Sequence, residues 1–201
     1  MDIQQVLQFW FGQTINRATP SAQAKLWWSK QQAVDQKIRE DFADGLQALA
    51  RGEYREWLHT ASGRLAAIIV LDQFSRNMYR DTPEAFAQDS LALSWCLEGL
   101  EKNVDLQLEP AERVFFYLPL EHSENLEMQD LCCRKFAELL DDNINTEPAP
   151  SDGTYEGFYR YAKSHRDVVQ KFGRFPHRNK ILGRTNTELE EEYLNTPGTG
   201  F

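Results

Sequence analysis

The sequence predicts an all-α fold, a layered helical array forming a single domain over residues 1–201. Three observations point there. Apolar residues step by three or four along most of the 201 residues. Helix-start signals recur, at Asp2, Thr19-Pro20, Thr82-Pro83, Pro110 and Thr187 with Glu190. Strand-like alternation of apolar and polar residues is not sustained anywhere.

Each element follows from local chemistry. Asp2 is placed to cap a first helix carrying Val6, Leu7, Phe9, Trp10 and Phe11, which Gly12 closes. Thr19 with Pro20 opens a helix bearing Leu26, Trp27 and Trp28. Val34, Ile38, Phe42, Leu46 and Leu49 make the stripe of an amphipathic helix ending near Gly52. Tyr54, Trp57 and Leu58 suit a short turn or helix. Ser62 is the expected cap of a central helix reaching to about Tyr79. Thr82-Pro83-Glu84 predicts a helix through Phe86, Leu91, Leu93, Trp95 and Leu97. Pro110 starts the next, with Val114, Phe115, Phe116 and Leu118, and Pro119 should interrupt it.

His122, Leu126, Gln129, Cys133, Phe136 and Leu140 step by four and three, so a further helix should turn His122 and Gln129 to the core. Residues 141–153 read as loop. Tyr155, Phe158, Ala162, His165, Val169 and Phe172 form another stripe, closed by Gly173. Thr187 and Glu190 have capping-box spacing. Residues 195–201 are expected to form a loose tail.

The central helix sets the chemistry. Leu65 through Leu71 are apolar on every side, as in a buried helix, yet Asp72, Gln73, Arg76 and Asn77 continue the run. Buried charge is tolerated only when it is paired or lines a cavity, so a polar cluster is expected mid-molecule. Asp72 and Arg76 are four apart, acid first, the favourable order for a helical ion pair.

Bulk composition excludes several classes. A net charge of −9 disfavours a nucleic-acid coat or a binder of anionic membranes. Charge is uneven, however. Residues 160–184 hold eight Lys/Arg against one acid, Asp167, leaving 14 against 30 elsewhere. Cys96, Cys132 and Cys133 lack CxxC spacing and read as small buried hydrophobes of a reducing cytoplasm. No signal peptide or membrane-spanning run is visible.

Three stretches carry candidate site residues. The first, 71–80, offers Arg76, Asn77 and Arg80 as a ligand-facing edge. The second, 115–125, gathers Glu121, His122, Ser123 and Glu124, where a carboxylate beside an imidazole suits acid–base work. HExxH spacing is absent, so no metal is expected. The third, 172–184, supplies Arg174, His177, Arg178 and Asn179 among Gly and Pro, and guanidinium forks suit carboxylate or phosphate. Gly173 and Gly183 there permit close backbone approach. For each stretch the competing role is structural: ion pairs, helix caps, and arginines answering the acidic body.

These stretches also carry a resemblance. Leu71-Asp72-Gln73-Phe74-x-Arg76-Asn77, Leu118-Pro119-Leu120-Glu121-His122-Ser123-Glu124, Phe172-Gly173-Arg174-Phe175-Pro176-His177-Arg178-Asn179 and Leu182-Gly183-Arg184 resemble the signatures of the bacterial "domain of unknown function 924" family. So do Val6-Leu7-x-Phe9-Trp10-Phe11-Gly12 and Trp27-Trp28. Ser75 stands where that family usually has Pro. The resemblance implies stacked antiparallel helices of tetratricopeptide-like type, an α-α superhelix, and implies no activity. No tetratricopeptide consensus repeat is visible in the sequence itself.

The functional expectation is therefore a small anionic molecule, phosphate or carboxylate, bound in a central pocket lined by Arg76, His122, His165 and residues 174–179, with no cofactor. The alternative is a protein or peptide scaffold in which the polar clusters are structural ion-pair networks.

Overall fold

The computed structural model describes residues 1–12, 21–28, 30–143 and 154–196, and no strand occurs among them. The helices are α1 (Ile3–Phe11), α2 (Ser21–Trp28), α3 (Gln32–Ala50), α4 (Ala61–Ile69), α5 (Ser75–Met78), α6 (Asp89–Glu101), α7 (Pro110–Glu121), α8 (Leu126–Asn143), α9 (Tyr155–Phe172) and α10 (Glu188–Asn195). A π-helical turn, Val70–Phe74, joins α4 to α5, so the two form one rod through the centre.

Several caps form as their residue types dictate. Asp2 Oδ1 accepts the Gln5 N–H at 2.8 Å, and Gly12 closes α1 with φ 68°. Thr154 caps α9 by accepting from the Gly157 N–H at 2.9 Å. Both arms of the Thr187/Glu190 capping box are made. Gly173 and Gly183 adopt φ of 70° and 64°, and a Cβ at either would meet nothing within 4 Å. Both glycines serve left-handed backbone.

Four expectations are corrected. The central rod is capped by Thr60, whose Oγ1 accepts the Gly63 N–H at 3.1 Å, because Thr60 is extended and Ser62 already lies in the first turn. Thr82-Pro83 opens only a 3-10 turn, Pro83–Phe86. The Thr82 hydroxyl donates back to the Tyr79 carbonyl at 2.9 Å, and α6 begins at Asp89. Pro119 does not stop α7, which continues to Glu121. The cost is one missing N–H donor, whereas the buried packing around it favours continuing the helix. The stripe attributed to His122 belongs to two helices: His122 is the C-cap of α7. Asn125 Oδ1 starts α8 by accepting from the Glu127 N–H at 2.8 Å. Thr19-Pro20, residues 144–153 and residues 197–201 lie outside the described residues.

Neighbouring helices run antiparallel. Along α3, Asp35 meets Arg80, Arg39 donates to the Met78 carbonyl, and Phe42 meets Phe74 with ring centroids 4.7 Å apart. Along α6, the Trp95 carbonyl accepts from Arg64 at 2.8 Å while Asp89 reaches Arg76. Arg113–Asp142 and Gln129–Leu120 order α7 against α8. Phe136–Phe158 and Asp130–Arg166 order α8 against α9. A continuous hydrophobic core extends from α1 to α9. Trp10, Phe42 and Phe74 are fully buried in it, and Phe9 packs against Phe74 edge-on at 5.7 Å.

Phe74 thus touches α1 and α3 from the π turn. Phe74→Ala should lower unfolding free energy by about 3–5 kcal/mol, read as a fall in the urea midpoint with helix content retained below the transition. A change under about 1 kcal/mol would show that the rod is not the packing centre.

Candidate functional site

Asp72 lies in the π turn and is fully buried. Three donors converge on its carboxylate: His122 Nδ1 at 2.7 Å and Arg76 at 3.0 Å on Oδ1, and Gln73 Nε2 at 2.6 Å on Oδ2. Burial opposes ionisation, but Arg76 and His122 outweigh it and hold this carboxyl well below the usual range. Arg76 continues the chain of charges. Its fork grips Asp89, at the first turn of α6, with two bonds of 2.8 and 3.0 Å.

The second wall is the segment after α9. Glu124 pins it to the α7–α8 junction: Oε1 accepts the Phe175 N–H at 2.7 Å, and both oxygens receive Arg184, at 2.7 and 3.0 Å. This sets Phe175 and the 3-10 turn Pro176–Arg178 over the site. The Arg178 guanidinium lies between two rings, 4.7 Å from the Phe86 centroid and 4.6 Å from that of Phe175. It is 6% exposed. Its nearest carboxylate, Asp89, is 3.5 Å away, at the limit of a useful bond. Its buried Nε has no hydrogen-bond partner among the described residues. Burial and the Arg76 cation lower this guanidinium to about 10, so it is charged at neutral pH.

The imidazoles are kept neutral. Burial pushes His165 down to about 3, and burial with Arg178 pushes His177 down to about 4. His122 is lowered by burial and by Arg76, with Asp72 pulling the other way. A carboxylate only accepts, so His122 Nδ1 carries the hydrogen and Nε2 is the bare nitrogen of the neutral ring. Beside it, Glu121 has its carboxyl raised to about 8 by burial and by the Asp72 charge. Its closest basic atom, His165 Nδ1, is 3.7 Å away and is turned to the Tyr161 carbonyl at 3.0 Å. Glu121 and His122, consecutive at the end of α7, are thus a protonated acid and an oriented, neutral base.

The structure brings Arg76, Glu121, His122, His165, His177 and Arg178 together. It places four candidates elsewhere. Asn77 and Arg80 both bind Asp35 of α3, at 2.7 and 2.8 Å. Arg174 gives both prongs to Glu190 at 2.6 and 2.7 Å, so the two-pronged contact expected of it is taken by the protein. Asn179 donates to Asn186 Oδ1 at 2.7 Å within its own turn. Asp89 and Phe86 were not legible as site residues, since the Thr82-Pro83 signal masked the true start of α6.

Among the described residues no three His, Cys, Asp or Glu side chains converge in a metal-holding group. Burial raises the thiols of Cys96, Cys132 and Cys133, so these are poor nucleophiles. A surface depression of about 570 Å³, lined by Asp2, Ile3, Gln4, Trp57, Thr60 and Ser62, lies at the other end of the central rod. No helix among the described residues is long and apolar enough to cross a membrane.

The class defined is an all-α protein in which a buried acid and guanidinium of the central rod, Asp72 and Arg76, meet an imidazole from the end of α7. The chain belongs to the family described as bacterial protein of unknown function (DUF924), whose model matches residues 6–198. It is similar to a solved structure of a protein of unknown function from Agrobacterium tumefaciens, at 34% identity and TM-score 0.78, over 96% of each chain. No curated protein matches it.

Glu121 makes the cluster sensitive to base. Its folded-state value, about 8, is above the ordinary 4.5, so the folded state holds this proton more tightly than the unfolded one. Stability from this group is fully present below pH 4.5 and is lost as pH rises through about 8. His165 and His177 act oppositely, at the acid side, and are common to wild type and variant. Glu121→Gln, which stays neutral, should gain on wild type by a few kcal/mol, on the order of 1.4 per pH unit crossed, between about pH 5 and 9 in parallel urea melts. Parallel pH profiles for the two proteins would show Glu121 to be ionised and paired.

Proposed function

We propose that this helical domain binds a small anionic molecule, bearing phosphate or carboxylate, at the cluster of Arg178, His122 and His177. One observation carries the reading. Arg178 is a charged, nine-tenths buried guanidinium that keeps an unused Nε donor and only a long contact to Asp89. A buried cation left so incompletely paired costs several kcal/mol, whereas an oxyanion would complete it. The other arginines of these stretches have close carboxylate partners: Arg76 with Asp89, Arg80 with Asp35, Arg174 with Glu190, Arg184 with Glu124.

Charge balance adds a feature to this reading. Asp72 and Asp89 cancel Arg76 and Arg178, and the imidazoles are neutral. An arriving anion therefore brings net negative charge into a low-dielectric site, and protonation of His122 Nε2 would compensate it. The second reading, a protein-interaction scaffold, is favoured by those same four ion pairs and by the depression at the far end of the rod.

Calorimetric titration with phosphate, pyrophosphate and succinate in two buffers of different ionisation enthalpy tests both. Binding should take up a proton and tighten as pH falls from about 8 to 6. Arg178→Ala should weaken it roughly ten- to a hundredfold, from one charge-assisted bond at about 1.5–3 kcal/mol. Arg174→Ala should leave affinity unchanged while lowering the urea midpoint, since it removes the guanidinium that pairs with Glu190. No heat with any of the three anions, beside a less stable Arg178→Ala, would leave the scaffold reading standing.

A further inference from the structure

We propose that His122 is the general base of a hydrolytic site for small esters bearing a second, anionic group, with Asp72 as its positioning residue and Arg178 as the anion holder. The inference rests on the anion-site reading above and adds a reaction to it.

The geometry carries it in three steps. First, Asp72 fixes the imidazole. Its Oδ1 is 2.7 Å from His122 Nδ1, and the carboxylate is itself immobilised by Arg76 and Gln73. The ring can therefore neither flip nor change tautomer without breaking a buried charge-assisted bond. Second, the opposite nitrogen is left free. Nε2 of His122 has no protein hydrogen bond among the described residues, and the side chain keeps 16% of its surface open. A histidine used only to neutralise Asp72 needs no such opening. Third, the carboxylate that holds the ring is tied to the cation. Asp72, Arg76, Asp89 and Arg178 form a chain of ion pairs.

The step balances with water alone. His122 Nε2 takes a proton from water as the water oxygen bonds to the ester carbonyl carbon. The tetrahedral adduct then breaks its bond to the leaving oxygen. The proton on Nε2 passes to that oxygen, giving the alcohol and an acid, and the imidazole is neutral again. Arg178 holds the substrate's other anionic group throughout, fixing the carbonyl near Nε2. The groups that set the proton affinity of His122 are Arg76 and Asp72 from the central rod and Asp89 from α6, and His165 of α9 and His177 of the 3-10 turn are coupled to it.

Two probes test this on the full chain. The first is diethyl pyrocarbonate, with the acylated histidines located by peptide mass mapping. His59 is exposed and serves as the internal reference. His122 should react within about tenfold of the His59 rate, and His165, buried, should be far slower. Inorganic phosphate should protect His122 and not His59. The second probe is mono-4-nitrophenyl succinate, compared with neutral 4-nitrophenyl acetate. Wild type should hydrolyse the succinate ester at least about tenfold faster than His122→Gln. Arg178→Lys should raise KM for the succinate ester alone. Asp72→Asn should move the acid limb of the kcat/KM profile to lower pH and lower its plateau, a change that a merely structural carboxylate would not cause. The partly exposed His122→Gln keeps the test decisive if Asp72→Asn does not fold.

The outcomes separate the two readings. A reactive His122 that turns over the ester, with no protection by phosphate and no effect of Arg178→Lys, retains the base and discards the anion site. Phosphate binding with an inert His122, or equal ester hydrolysis by wild type and His122→Gln, retains the anion site and overturns this proposal.

Discussion

The structure depends on the ionisation of one carboxylate with no access to water. Asp72 sits where the buried central rod crosses the middle of the molecule, and the charges around it are a response. Arg76 neutralises it one turn away, Asp89 takes up the rest of the Arg76 fork, and Arg178 leans on Asp89. The first two links are 3.0 and 2.8 Å long, and the last, to Arg178, is 3.5 Å. Pairing a buried charge is necessary for folding, but a chain of pairs must end somewhere. Here it ends on a cation wedged between two phenyl rings, and that end is where chemistry is left over.

A second polar assembly provides the contrast. Tyr117 donates to buried Asp105 at 2.8 Å and accepts from Arg113 at 3.0 Å. Lys135 completes Asp105 at 3.2 Å, and Arg113 reaches Asp142 at 3.1 Å. Both named arms of that assembly end on a charged partner of opposite sign, so it ties α7 to α8 and presents nothing. The same residue types serve architecture in one place and leave a donor unused in the other. What separates them is whether the outermost charge is answered.

Much of this was legible in the sequence and some was not. Asp2, Gly173 and the Thr187/Glu190 box lie within a few residues of the groups they satisfy, so local pattern suffices. The polar half of the central helix also pointed to a buried cluster, because charge within an apolar run must be paired or line a cavity. The failures share a cause: the deciding partner is remote. Pro119 stays inside α7 because packing outweighs one lost donor. His122 continues the α8 stripe on paper, but Asn125 starts α8 and Asp72, fifty residues earlier, claims the ring. Arg174 and Arg178 look alike in a basic segment. Only the fold gives Glu190 to the first and two aromatic rings to the second.

The π turn has a consequence for how this sequence tolerates change. Such a turn amounts to one residue more than an α-helix needs, held within Val70–Phe74. Deleting a single residue there would restore regular helix and leave Arg76, Asn77 and Arg80 on the faces from which they reach Asp89 and Asp35. What it would remove is the local bulge that carries Asp72 and Phe74. Within this buried rod the turn is therefore the one place that has a residue to spare, whereas a deletion in the regular helix on either side would rotate the faces beyond it by about 100°.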